Sequence, residues 1–452
     1  MTGGWGGGYP TALTYMASLQ PETAPGALAL VALAQQREPP RFDRPFRYAE
    51  MGCGRGLTLL AHAACHPQGR FYGADYMPEH VTFARRLAEE AELDNLRVDE
   101  ADFATLAGQD APDGPVEALV CHGVWSWVSA ANRAALVRIA ARWIAPGGLC
   151  LVSYNARPHW NALDPLRRIV REMMGPHPER ADFERLRQAV EDWLDLAGND
   201  TMRAFWRKVA AQSDRYLIHD LGADHAEAFW PSDVADQLAE ARLLPLGQSA
   251  LETHVASLRT ALARALEAAG QAAGYSRAAS DMAQAVPFRS DVLARGAPSL
   301  SPAGVLAALS RWLLRPAAPE PGRAADTVAL TPDAETALAA LTARLPMEVG
   351  AAVDGIDLAP AKALQLLLLA MATGRLRLMP PLDPRAQGAI RRVNALSARR
   401  ARLDTPLPLA LCAESGTILR ISAADAAHLW DGAGHPDPDR AAWLSGFDCA
   451  PG

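Results

Sequence analysis

The sequence predicts an α/β fold built on a mainly parallel sheet, and three observations carry that prediction. Short apolar segments that close on an acid recur at residues 46–50, 70–75 and 96–102. A glycine turn, GCGRG at 52–56, joins the first of them to a helical stretch. Two further strands, 116–121 and 147–155, flank a helix at 131–144. Alternation of this kind implies parallel strands joined by helical crossovers, with ligands at the carboxyl ends of the strands.

Taken in order, the first strand ends at Glu50 and breaks at Gly52, Gly54 and Gly56, before the helix that opens LTLLAHAA at Leu57. The glycines permit close approach of a ligand to the backbone. A dinucleotide fingerprint would need a further glycine at 57, and Glu50 would repel a pyrophosphate. An acid followed by GxGxG suits a cationic or zwitterionic ligand without phosphate, and S-adenosylmethionine, with its ammonium and sulfonium charges, fits. The second strand ends at Asp75, about 20 residues beyond the glycines, where a carboxylate can take a ribose diol in two hydrogen bonds. Residues 78–93 form an amphipathic helix with Pro78 near its start. The third strand, 96–103, ends in Asp102 and Phe103, placed to accept from an adenine amine and to pack on its ring.

After Asn155 the pattern turns helical. Residues 164–174, 180–197 and 202–217, with Trp193 and Trp206 at apolar positions, read as an insertion covering the site. Residues 232–243 form a helix capped by Ser232, 244 onward a sixth strand, 255–273 an alanine-rich helix, and 288–295 a seventh, antiparallel strand. PAAPEPG at 316–322 is a hinge. Beyond it, helices at 331–345, 347–353 and 359–373 and a strand at 374–379 suggest a winged-helix-like module. Arg375, Arg377, Arg385, Arg391, Arg392, Arg399, Arg400 and Arg402 make a basic stretch. The helix APAKALQLLLLAMAT is nearly all apolar, however, which marks it as buried and argues for packing against protein rather than entry into a DNA groove.

EMGCGRG at 50–56, GADYMPEHV at 73–81, CHGVWSWVS at 121–129 and VSYNARPHW at 152–160 together resemble class I S-adenosylmethionine-dependent methyltransferases that carry a methyltransferase regulatory domain. That group includes the rickettsial protein-lysine methyltransferases. GGYPTALTY at 7–15, RYLIHDLG at 215–222 and AFWPSDVADQLAEARLLPLGQ at 228–248 extend the resemblance over roughly residues 7–296. Thr14 and Met16 depart from the family's proline and threonine beside Tyr15. The resemblance implies a Rossmann-like seven-stranded methyltransferase core with a helical insertion and a mainly helical C-terminal domain. The expected division is an N-terminal lid (1–45), the cofactor-binding core (46–155), the insertion (156–227), the return to the sheet (228–296), a winged-helix-like regulatory domain (323–384) and a C-terminal extension (385–452).

The expected cofactor shell is Glu50, Gly52, Cys53, Gly54, Gly56, Asp75, Tyr76, Asp102, Phe103 and His122. Trp125, Trp127, Tyr154 and Trp160 follow the fourth and fifth strands, where acceptors enter this fold, and could cage an ammonium by cation–π contact. Trp127, Asn155, His122 and, closing from the N-terminal segment, Tyr15 are the candidates nearest the chemistry. His219 and His225, in the insertion, read as structural. The expected partner is a protein or peptide substrate, with a lysine side chain favoured. A small-molecule acceptor and a non-catalytic cofactor-binding regulator are the alternatives, and a homodimer is compatible with all three.

Composition narrows the rest. With 452 residues, 50% of them hydrophobic, the chain can bury more than one core. No apolar run approaches the roughly 20 residues of a membrane span. The six cysteines are scattered without metal-ligand spacing, so no metal and a reducing cytoplasm are expected. The net charge of −7 argues against a general nucleic-acid binder and suits a basic substrate.

Overall fold

The computed structural model describes residues 19–174, 180–198, 200–211, 214, 217, 221, 223, 225–255, 258, 260–284, 286–317, 332–401 and 407–451. Its centre is a seven-stranded sheet in the order β3-β2-β1-β4-β5-β7-β6. The strands are β1 (Phe46–Met51), β2 (Gly69–Asp75), β3 (Leu96–Glu100), β4 (Val116–Cys121), β5 (Ile144–Asn155), β6 (Leu244–Gln248) and β7 (Phe288–Ala294). β1 to β5 run parallel, whereas β7 is antiparallel to both β5 and β6. The expected Rossmann-like methyltransferase sheet is present, and its seventh strand is the antiparallel one.

Period-two alternation divides the strands between two cores. Tyr48, Val120, Leu149, Leu151 and Val292 face helices α1 (Pro25–Ala34), α2 (Leu57–Cys65) and α3 (Pro78–Glu90). Ala49, Leu119, Cys150, Val152 and Tyr154 face α5 (Ala130–Trp143) and the helix Pro231–Ala239. The short helix α4 (Phe103–Leu106) packs in this second core, and the third strand ends earlier than expected because Asp102 turns to cap that helix. The helix expected to be capped by Ser232 begins one residue earlier, at Pro231, as suits a proline at the first helical position. Ser232 Oγ instead donates to Asp281 at 2.6 Å. The helix expected over 255–273 is shorter, Ala261–Ala273, with Thr260 as its cap.

The insertion forms its own small core. Trp160, Leu166, Phe183, Leu186, Val190, Trp206 and Leu217 pack among helices α6 (Asp164–Met173), α7 (Arg180–Ala197) and α8 (Asp200–Ala210).

The small three-stranded sheet β10-β8-β9 consists of β8 (Leu313–Pro316), β9 (Met347–Glu348) and β10 (Leu376–Met379). Its central strand therefore runs into the first residue of the expected hinge, with Pro316 paired to Leu376. The apolar helix Pro360–Ala372 buries Ala363, Leu364, Leu366, Leu367 and Ala370 against Val305, Leu309, Leu314 and Leu33 of α1. Several of the arginines are held within the chain. Arg375 pairs with Glu335 at 2.7 Å, Arg385 with Asp383 at 2.7 Å and Arg400 with Glu90 at 2.8 Å. Arg402 lies outside the described residues.

The C-terminal extension packs directly on the seven-stranded core. Ala386, Ile390, Val393 and Leu396 of the helix Ala386–Arg400, with Leu409 and Leu411 of β11 (Leu409–Leu411), share one cluster with Leu59, Leu60 and Ala63 of α2. β11 pairs antiparallel with β12 (Ile418–Arg420). Among the described residues, no helix is long and apolar enough to cross a membrane.

Candidate cofactor and methyl-transfer site

The glycine turn after β1 is bent by three left-handed residues, with φ of 71° at Gly52, 54° at Gly54 and 69° at Gly56. A side chain at Gly52 would strike Val124 at 2.5 Å and one at Gly56 would strike Ala84 at 2.8 Å, whereas at Gly54 it would meet nothing within 4 Å. Gly54 thus faces open space. The turn is fixed by Asp75, whose Oδ2 accepts from the Gly54 N–H at 2.8 Å while Oδ1 accepts from the Met77 N–H at 2.9 Å and lies 3.1 Å from His80 Nδ1. A carboxylate oxygen has two acceptor positions. Oδ1 meets both Met77 and His80, whereas Oδ2 meets Gly54 alone and keeps an acceptor position open.

Glu50 is buried beside this turn, and its Oε2 has no hydrogen-bond partner among the described residues. Burial, and then the charge of Asp75, push its carboxyl up to about 8. An orphaned buried carboxyl next to an open glycine is suited to an ammonium group, which would both donate the missing bond and favour ionisation. Burial likewise pushes the Cys53 thiol far up, so it is no nucleophile. Tyr76 is 44% exposed beyond Asp75. Asp102 is exposed, and its two oxygens accept from the N–H and Oγ1 of Thr105, both at 2.8 Å. These bonds hold its carboxyl below the usual range. Asp102 is first a helix cap, with Phe103 half-buried behind it.

β4, β5 and β7 bring a second group of residues to the same sheet face as Glu50. His122 follows β4, and its Nε2 lies 3.1 Å from Glu22 Oε1. Burial pushes the Glu22 carboxyl up, but the bond and charge of His122, its own backbone and Arg420 hold it below the usual range. The His122 ring packs on Phe288 at 5.6 Å between centroids, and Trp127 lies 6.5 Å from the same ring. Phe288 pairs in register with Asn155. Asn155 is buried, its N–H donating to Ser126 Oγ at 2.8 Å, and Gly123 N–H donates to Ser153 Oγ at 2.6 Å. Glu22, His122, Trp127, Asn155 and Phe288 therefore meet at the carboxyl ends of the strands. Glu22 and Phe288 were not among the residues expected from the sequence.

The other expected aromatics are placed elsewhere. Trp125 is fully buried in the second core, since the tight turn Trp125–Trp127 sends its two indoles to different environments. Tyr154 precedes Asn155 on β5 and so points to the opposite face, where its hydroxyl donates to Asp291, itself held by Arg289 at 2.9 Å. Trp160 belongs to the insertion core, its indole N–H donating to the Pro287 carbonyl at 2.5 Å. The expected four-aromatic cage reduces to Trp127, joined by Phe288. Tyr15 and His219 lie outside the described residues.

Residues 49–148 match the family model described as a methyltransferase domain. The chain is 29% identical over 314 residues to the Synechocystis protein sll1526, a match covering 68% of this chain and 62% of that relative's length. The release factor glutamine methyltransferase of Escherichia coli is 34% identical over 86 residues, 19% of this chain and 30% of that one. Among solved structures, PKMT2 from Rickettsia typhi in complex with AdoHcy superposes with a TM-score of 0.67 at 18% identity, covering 92% of this chain and 88% of that one. A match to this domain model, on this sheet topology and around this glycine turn, identifies a class I S-adenosylmethionine-dependent methyltransferase domain, and the chain that carries it resembles the rickettsial PKMT2 in fold.

Proposed function

We propose that the chain methylates a nitrogen on a protein or peptide, with a lysine side chain as the favoured acceptor. The observation that carries the reading is the meeting of Trp127 and Phe288 with the Glu22–His122 pair at the strand ends, on the sheet face of Glu50. Two aromatic rings beside a carboxylate suit an alkylammonium group, which gains from ring faces and from negative charge together. The motif resemblance over residues 50–160 and the likeness in fold to PKMT2 support the same substrate class.

S-adenosylmethionine, when bound, would supply a methyl group whose carbon a neutral nucleophile attacks in line with the C–S bond, the thioether S-adenosylhomocysteine being the leaving group. Glu50 would hold the cofactor's ammonium, the Gly52–Gly54–Gly56 turn would admit it against the backbone, and Asp75 would orient the ribose through the acceptor position open on Oδ2. The acceptor amine arrives protonated, with an ordinary pKa near 10.4. Trp127 and Phe288 would set their rings beside the amine, while the His122 imidazole offers a place for its proton. Positioning then supplies most of the rate, as in any displacement that needs little covalent help from the protein.

The test is transfer of label from methyl-labelled S-adenosylmethionine into a cell extract separated by size. The proposal expects label in the macromolecular fraction, abolished by protease. Label confined to the small-molecule fraction would favour the alternative acceptor class.

A further inference from the structure

Glu22 reaches the site on a segment that two distant parts of the chain hold in place. From beneath, Thr23 Oγ1 lies 2.9 Å from His62 Nε2 and the Thr23 carbonyl accepts from Tyr48 OH at 3.0 Å. The Gln20 N–H donates to Thr58 Oγ1 at 3.1 Å. From outside comes one bond more, in which Arg420 Nη2 donates to the Leu19 carbonyl at 3.0 Å. Arg420 ends β12 and pairs in register with Leu409, which is buried in the core over α2. Its own carbonyl accepts from Arg440 Nη2 at 3.0 Å, and Arg440 grips the buried Asp425 at 3.1 Å. The guanidinium is therefore carried on a braced hairpin.

We infer that Arg420 is a positioning residue, through which the C-terminal hairpin β11–β12 latches the segment 19–23 so that the Glu22 carboxylate stays against His122. The inference rests on Glu22 and His122 lying in the site and holds whatever the acceptor is. Electrostatics acts in the same direction, since the charge of Arg420 is one of the influences that favour ionised Glu22. Among the described residues, the charged and titratable groups that act on Glu22 are His122 after β4, Arg420 from β12 and Tyr48 from β1. His62, which meets the neighbouring Thr23, is driven down to about 3 by burial and stays neutral. Arg420 itself lies in a part of the chain that the motif resemblance does not reach, so its bond to Leu19 ties the C-terminal extension to the acceptor side of the domain.

The test compares full-length wild type, Arg420→Ala and Arg420→Lys by hydrogen exchange. Arg420→Ala should speed exchange at the Gln20 and Thr23 amides about tenfold, leave the helix Ala423–Asp431 at wild-type rates, and be largely restored by Arg420→Lys. In turnover of a lysine-containing peptide pool with labelled S-adenosylmethionine, the acid limb of the pH–rate profile should move to higher pH in Arg420→Ala. It should return in Arg420→Lys and not move when Glu22→Gln is already present. Wild-type exchange at residues 20–23 in Arg420→Ala, or equal loosening of residues 423–431, overturns the inference. A pool that is not methylated counts against the acceptor reading alone and leaves the exchange comparison to decide this one.

Discussion

Glu50→Gln should make the protein more stable and a worse binder of its cofactor at the same time. A carboxyl whose folded value is raised to about 8 from an ordinary 4.5 favours folding only while protonated in both states. Its contribution is present below pH 4.5 and is lost as pH rises towards 8, because the unfolded chain ionises first. At pH 7 the gap is about 2.5 units, or about 3 kcal/mol at ~1.36 kcal/mol per unit, and above pH 8 it approaches about 5 kcal/mol. Glutamine keeps the shape without the ionisation cost. Urea unfolding of the ligand-free protein should therefore show the variant and wild type nearly equal at pH 4.5 and the variant about 3 kcal/mol more stable at pH 7. Calorimetry with S-adenosylmethionine in buffers of different ionisation enthalpy should show wild type releasing close to one proton on binding at pH 7, as Glu50 ionises against the ammonium. The variant should release almost none and bind more weakly by about 1.5–3 kcal/mol, the worth of a hydrogen bond to a charged group. A variant that is no more stable at pH 8.5, or that releases the same proton, would refute the reasoning that Glu50 is a buried carboxyl reserved for a cation.

Four further outcomes follow from the geometry. Trp127→Ala should lower acceptor turnover about 2- to 30-fold, the worth of about 0.5–2 kcal/mol of cation–π contact, whereas Trp125→Ala should cost about 3–5 kcal/mol of folding stability as a core truncation; kinetics and denaturation on both variants separate the roles. Tyr154→Phe should destabilise the fold by about 1–2 kcal/mol and leave the rate unchanged, because its hydroxyl serves Asp291 on the opposite face. Asp75→Asn should weaken cofactor binding and also raise protease sensitivity at the glycine turn, since the amide replaces an oxygen that accepts from the protein itself. Removal of residues 385–452 should leave an insoluble remainder, because Ile390, Val393, Leu396, Leu409 and Leu411 leave the core at about 1.5–3 kcal/mol each, a sum comparable to the whole stability of a domain; sedimentation of the expressed fragment decides it.

Most of the sheet was legible because its signals are local. β4 occupies the residues expected for it, and β1, β2, β5 and β7 lie within a few residues of their expected bounds. The glycine turn, Glu50 and Asp75 stand together because the chain that links them is short and its turn chemistry restrictive. The aromatic cage was misjudged for a reason the sequence already contained. Adjacent residues on a strand point to opposite faces, so Tyr154 and Asn155 could not both line one site. Asp102 with Thr105 three residues on is a helix-cap pattern that could also have been read. Glu22 and Phe288 had no such signal. One sits in a proline-flanked turn, 100 residues from the histidine it meets, and the other owes its place to the register of an antiparallel strand. Neither pairing is written in local sequence. The latch between Arg420 and Leu19 is more distant still, at 401 residues.

The central claim, that the face shared by Glu50 and the Glu22–His122 pair transfers methyl groups to protein nitrogen, is tested most directly by locating the methyl. Purified protein, trideuteromethyl-labelled S-adenosylmethionine and a pool of lysine-rich proteins should yield products whose tandem mass spectra place the label on lysine Nε, with Glu50→Gln and Trp127→Ala both reducing the yield. Label found on an oxygen, as a methyl ester or ether, or on lysine at equal yield in the Trp127→Ala variant, would contradict the account.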